Sequence, residues 1–167
     1  MCIRDSYPTE DLVAILERAA GIFQLSLSPE AAQLLAERSR GTPRIAGRFL
    51  RRARDLAQVQ GRPSIDAEIA SETLTRLGVD AAGLQEMDRR FLRCLADQAG
   101  SPVALKTLSA VVGETSDTLE DVYEPHLLRL GLVRKTARGR VLSPAGWNAL
   151  GKTPPTEPPQ QSGGLFS

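Results

Sequence analysis

Residues 38–52 read Arg38-Ser39-Arg40-Gly41-Thr42-Pro43-Arg44-Ile45-Ala46-Gly47-Arg48-Phe49-Leu50-Arg51-Arg52. Gly41 can end one helix and Thr42-Pro43 can open the next, because glycine tolerates a left-handed cap and proline fits the first helical position. At about 100° per residue, Arg44, Arg48, Arg51 and Asp55 share one narrow face, and Ile45, Phe49, Ala53, Leu56 and Ala57 fill the opposite arc. The spacing predicts an amphipathic helix with its apolar arc in a core and its arginine face in water. Arg44 differs from the other arginines because it falls in the first turn, where unsatisfied amides and the helix dipole favour an anion. A guanidinium there can grip a phosphate through two donors. The residues alone leave two readings open, a phosphate contact or a solvated arginine stripe.

Working outward, the neighbours are short helices. Pro8-Thr9 opens one that carries Leu12, Ile15, Leu16 and Ala19 at helical spacing up to Gly21. Ser28-Pro29 opens a second with Ala32, Leu35 and Ala36 inward, and Ser64 or Asp66 opens a fourth that closes near Leu77-Gly78. No alternation of period two occurs in this half, so residues 7–78 are expected to form a small all-helical domain. From residue 79 the order changes to a helix over 84–99, a short helix over 105–112, a helix over 116–130, and two short segments flanking Arg138-Gly139. Helix, helix, turn, helix and hairpin is the order of a winged helix, expected here over residues 79–152. The fold class is therefore mainly α, with one short β-hairpin wing. Residues 153–167, rich in Pro, Gln, Ser and Gly, are expected to be disordered.

The 167 residues include 21 Lys+Arg against 20 Asp+Glu, a net charge of +1 that excludes a uniformly basic coat protein and an acidic tail. The average hides segregation. Residues 38–54 hold seven arginines (38, 40, 44, 48, 51, 52, 54) and no acid, and residues 129–140 hold five bases (Arg129, Arg134, Lys135, Arg138, Arg140) and no acid. Residues 55–128 carry 13 acids against six bases. Two basic patches in an acidic body imply anionic partners at two places. No apolar run approaches the roughly 20 residues of a membrane span, and Arg4-Asp5 interrupts the start, so no secretory signal is read. The expectation is a soluble, intracellular protein without membrane contact.

Several apparent sites are discounted. Cys2 and Cys94 have no CxxC partner, and Cys94, among Phe91, Leu92 and Leu95, reads as a buried thiol. His126 has no companion at ligand spacing, so no metal site is expected. Gly146 to Thr153 matches the phosphate-loop pattern G-x-x-x-x-G-K-[ST], but Pro154-Pro155 follows where a helix should begin. In the helix over 116–130, Asp117, Glu120, Asp121 and Glu124 are expected to be exposed and to repel phosphates in a major groove. The bases lie instead in the hairpin, at Lys135, Arg138 and Arg140, which predicts backbone contact through the wing without base readout.

The stretch quoted first, together with Val79-Asp80-Ala81-Ala82-Gly83-Leu84, Met87-Asp88-Arg89, Thr118-Leu119-Glu120-Asp121-Val122-Tyr123-Glu124-Pro125 and Thr136-Ala137-Arg138-Gly139-Arg140, resembles the C-terminal part of the RuvB family of Holliday junction branch-migration motors. The resemblance runs over about residues 7–151. That family consists of hexameric AAA+ ATPases with an ATPase domain, a helical lid and a winged-helix head; the chain resembles the lid (7–78) and the head (79–152). By position, Arg44 matches the sensor 2 arginine that reaches ATP, and Tyr7 matches a nucleotide-contacting tyrosine. Lys135 and Arg140 match DNA-contacting arginines of the wing, with Arg138 between them. Lysine at 135 lacks the guanidinium fork, and Ala137 replaces a usual proline, which should loosen the hairpin.

The resemblance further implies ATP or ADP with Mg²⁺, the arms of a Holliday junction, RuvA and RuvC, a homohexamer and the bacterial cytoplasm for the full-length protein. The phosphate loop, magnesium acids, arginine finger and RuvA-binding hairpin belong to a domain expected before Tyr7, and residues 1–6 match nothing in the family. The chain alone is therefore expected to hold no catalytic residue, and neither to hydrolyse ATP nor to form a stable hexamer. Two other expectations are carried forward: a winged-helix transcription regulator with a helical dimerisation domain, which would bind DNA sequence-selectively, and a protein-interaction module that binds no DNA.

Overall fold

The computed structural model describes residues 6–155. The expectations for residues 1–5, including Cys2, and for residues 156–167 of the tail lie outside the described residues. Contacts divide the chain into two units, Met1–Glu86 and Met87–Ser167.

In the first unit α1 spans Thr9–Ile22, β1 Ser26–Leu27, α2 Pro29–Glu37, α3 Pro43–Val59, β2 Ser64–Ile65 and α4 Ala67–Arg76. The starts follow the capping residues. Ser28 Oγ accepts the Ala31 N–H at 3.1 Å ahead of Pro29, and Asp66 accepts the Ile69 N–H at 3.0 Å, so Asp66 rather than Ser64 caps α4. Leu12, Leu16, Leu35, Phe49, Leu50, Ile65 and Ile69 meet in one core and are almost wholly buried. Burying each such side chain stabilises the unit by about 1.5–3 kcal/mol. The unit is not all-helical as expected: Ser26 and Leu27 pair in parallel with Ser64 and Ile65. Two residues are too few to show an alternation, and the pairing seats Ile65 in the core.

Arg38 and Arg40 leave the surface patch in which the sequence placed them. Arg38 Nη1 donates to the Asp80 carbonyl at 2.5 Å, and Arg40 Nε and Nη2 donate to the Gly83 carbonyl at 3.2 and 3.1 Å. Arg40 is buried and adopts φ +57°. These bonds draw the segment after α4 onto the first unit. Contacts therefore divide the chain after Glu86, whereas the sequence reading has the boundary at 78/79.

The second unit contains α5 Glu86–Asp97, α6 Leu105–Val112, α7 Ser116–Thr118, a π-helical turn Leu119–Tyr123, α8 Glu124–Arg129, β3 Val133–Thr136, β4 Gly139–Leu142 and α9 Pro144–Ala149. The helix expected without interruption over 116–130 is broken by the π turn, in which the Glu124 N–H reaches back to the Leu119 carbonyl. Pro125 explains the break: it has no N–H to donate to the carbonyl one α-turn earlier, so the ladder slips by one residue ahead of it. Strands β3 and β4 pair antiparallel, Val133 with Leu142 and Lys135 with Arg140. Phe91, Leu92, Leu95, Leu108, Leu119 and Leu127 are buried in this unit, and Trp147 of α9 is 7% exposed. Cys94 is a free buried thiol, and burial, with Asp97 adding, pushes its pKa up. No helix among the described residues is long and apolar enough to cross a membrane.

Candidate functional site

Two places carry the charge that the sequence singled out, one in each unit. The first is the start of α3. Thr42 is extended at the N-cap, but its side chain makes no cap hydrogen bond, and Pro43 occupies the first turn. The first-turn amides are thus left without a side-chain cap, beside an exposed Arg44. The Tyr7 N–H donates to the Gly41 carbonyl at 2.9 Å, which ties exposed Tyr7 to the same helix start. The bond places Tyr7 at Gly41, three residues before Arg44 along the chain. Arg48, Arg51 and Arg52 are also exposed along α3, and the Arg48 guanidinium lies 5.7 Å from the Phe49 ring centroid. Arg54 pairs with Asp55 at 2.8 Å. The uncapped start and the exposed Arg44 guanidinium leave donors for an anion at the first turn of α3.

The second place is the wing. Thr136 Oγ1 donates to the Gly139 carbonyl at 2.9 Å and accepts the Arg138 N–H at 3.3 Å, so a hydroxyl bridges the turn around Ala137. Gly139 adopts φ +146°, and a Cβ there would stand 2.3 Å from the Val103 carbonyl oxygen. Only glycine lets β4 lie this close to the segment before α6. The Arg140 N–H donates to the Val103 carbonyl at 2.8 Å, and the Val103 N–H returns to the Arg140 carbonyl at 2.9 Å.

Glu124 corrects the sequence reading. It was expected on an exposed acidic face, but it is fully buried. Its Oε1 lies 2.6 Å from Lys135 Nζ, its Oε2 accepts from Arg140 Nε at 2.7 Å, and Arg140 Nη2 reaches Oε1 at 3.3 Å. Glu120, exposed as expected, sits 3.4 Å from both cations. The Glu124 carboxylate holds both the Lys135 ammonium and the Arg140 guanidinium above their ordinary pKa values. Of the three wing residues expected at DNA, Arg138 is exposed at the turn, Lys135 is half exposed and Arg140 is 15% exposed in its side chain. Sequence reasoning missed Glu124 as their common partner. No spacing in the sequence sets Glu124 apart from Glu120 and Asp121, because the π turn ahead of it is invisible to a count at 100° per residue.

The phosphate-loop match dissolves in the structure. Gly146 lies inside α9, its N–H is bound by Ser143 Oγ at 3.1 Å, and Lys152 and Thr153 follow the helix in coil rather than opening one.

Comparison with known proteins divides the chain at residues 80/81, six residues before the boundary drawn by contacts. Residues 7–80 match the RuvB AAA lid domain, and residues 81–151 match the RuvB C-terminal winged helix domain. The chain is 48% identical over 157 residues to the Holliday junction branch migration complex subunit RuvB of Paramagnetospirillum magneticum, covering 93% of this chain and 45% of that protein. It is 50% identical over 159 residues to the same subunit of Granulibacter bethesdensis, covering 95% and 44%. The solved Thermotoga maritima RuvB Holliday junction branch migration motor superposes with a TM-score of 0.84 at 38% identity, over 89% of this chain and 50% of that one. The chain thus spans about half the length of the relatives it matches.

Proposed function

Because the chain belongs to the RuvB family, carrying its AAA lid and C-terminal winged-helix domains, we propose that it serves a motor that drives Holliday junction branch migration. In this reading the lid senses ATP through Arg44, with Tyr7 against the nucleotide, and the wing holds duplex DNA by its phosphates through Lys135, Arg138 and Arg140. The observation that carries it is that the two cationic features fall one in each matched domain: an uncapped helix start bearing Arg44, and a basic hairpin. When bound, ATP with Mg²⁺ would supply the phosphoryl chemistry; the part assigned to this chain is to bind its phosphate. A homohexamer working with RuvA and RuvC in the bacterial cytoplasm completes the proposal, supported by the bacterial relatives.

The transcription-regulator reading is weaker on physical grounds. Asp117, Glu120 and Asp121 line the exposed side of the segment that would have to enter the major groove, and they repel phosphates.

Two measurements test the proposal. In the chain joined to the N-terminal half of a RuvB relative, Arg44→Ala lowers ATP turnover at least about tenfold, a loss of about 1.4 kcal/mol of transition-state stabilisation. Turnover equal to the parent rejects the nucleotide role. For DNA, Lys135→Ala with Arg140→Ala weakens binding to a labelled duplex by about tenfold and flattens the dependence of log affinity on log salt by about two contacts. Affinity and slope unchanged in the double variant reject the wing as the DNA contact.

A further inference from the structure

Lys135 and Arg140 stand directly opposite each other across the hairpin. Arg140 commits its N–H and its C=O to Val103, so the Lys135–Arg140 pair is of the non-hydrogen-bonded kind, in which facing side chains come closest. Two like charges in that position repel and weaken the sheet. An anion placed between them reverses the sign, and Glu124 is placed there: its side chain is 1% exposed, while Lys135 is 49% exposed and Arg140 15%. The carboxylate lies beneath the two cations rather than in front of them. Arg140 turns Nε and Nη2 to it, and Nη1 takes no part in those contacts. The Lys135 ammonium, with three donors, meets Glu124 along one direction and Glu120 at 3.4 Å along another.

We propose that Glu124 is a positioning residue for DNA binding: one buried carboxylate holds Lys135 and Arg140 from below, so that their remaining donors converge on a single backbone phosphate. The inference rests on the reading of the wing as the DNA contact. Glu124 and an incoming phosphate occupy different sides of the cation pair and do not compete for one place. Glu120 differs. It is 46% exposed and touches the same two cations only at 3.4 Å, so towards DNA it acts as a nearby repelling charge.

The two glutamates therefore carry opposite expectations for the same substitution. Each Glu→Gln change removes one negative charge from beside the wing, and by charge alone each should strengthen binding. Measured on the full chain with a labelled duplex by fluorescence anisotropy across a salt series, Glu120→Gln is expected to bind a few-fold more tightly. Glu124→Gln is expected to bind about tenfold more weakly, with a salt slope lower by about one contact, despite the loss of a repelling charge. Binding by Glu124→Gln at or above the parent level, with an unchanged thermal transition, overturns the proposal. Where Glu124→Gln loses its folded transition, Glu124→Asp replaces it. That variant keeps the charge and withdraws the carboxylate by one methylene, so it is expected to lose several-fold in affinity, and parental affinity overturns the proposal. Failure of the underlying reading looks different: there the Lys135→Ala, Arg140→Ala double variant binds like the parent. If that double variant loses affinity while both Glu124 variants do not, only the positioning role falls.

Discussion

Gly146→Ala destabilises the second unit by about 3 kcal/mol, lowering its thermal midpoint by roughly 10–20 °C. The cause is a backbone collision. A Cβ at Gly146 would stand 2.2 Å from the Leu132 carbonyl oxygen, 2.9 Å from Leu142 Cδ2 and 3.1 Å from the Leu132 carbonyl carbon. A flexible side chain could turn away, but a carbonyl held in the strand connection cannot. Leu132 accepts the Ser143 N–H at 3.0 Å through that oxygen, and Ser143 in turn caps α9. Moving α9 outward would therefore loosen the cap, the end of β4 and the seat of Trp147 at once. Trp147 is the only tryptophan in the chain, so its fluorescence during unfolding reports this unit alone. A midpoint equal to the parent's would show that α9 does not pack on Leu132. Glycine at 146, part of the phosphate-loop match, is explained by a helix touching a backbone, and no phosphate is needed.

The contrast between Gly146 and Arg44 shows what the sequence could and could not carry. The α3 stripe was legible because a 17-residue helix repeats its period several times. Ser28 and Pro29 marked α2 by local chemistry alone. The features missed depend on residues far apart in the chain. Arg38 and Arg40 read as two more members of a basic run, and only the carbonyls of Asp80 and Gly83, more than 40 residues away, turn them inward. Glu124 read as one acid among several on a helix. Its burial follows from the π turn, which shifts the residues after Tyr123 relative to those before it, and from a hairpin that delivers two cations to it. Helical spacing counted at 100° per residue carries no such shift. At the candidate site, then, the cations were legible, and the carboxylate that organises them was not.

Phe49→Ala is expected to cost the first unit about 4 kcal/mol and to leave the second unit's transition in place. Phe49 is 0% exposed, and it lies on the buried arc of α3 with Ala46, Leu50, Ala53 and Leu56. Its ring joins a core built from α1, α2, α3 and α4, including Leu12, Leu16, Leu35 and Ile69. Truncation removes the ring's transfer free energy and leaves a cavity among helices whose backbones can close it only in part. The arginine face of the same helix depends on that core, since the outward arc that carries Arg44 is fixed by the inward one. Among the described residues the core that holds Phe49 runs from Leu12 to Val79, all within the first unit. Helix content followed by far-ultraviolet circular dichroism should therefore show an early loss in Phe49→Ala, while Trp147 fluorescence keeps the parental midpoint. If the Trp147 transition moves down together with the helical signal, the chain unfolds as one cooperative block.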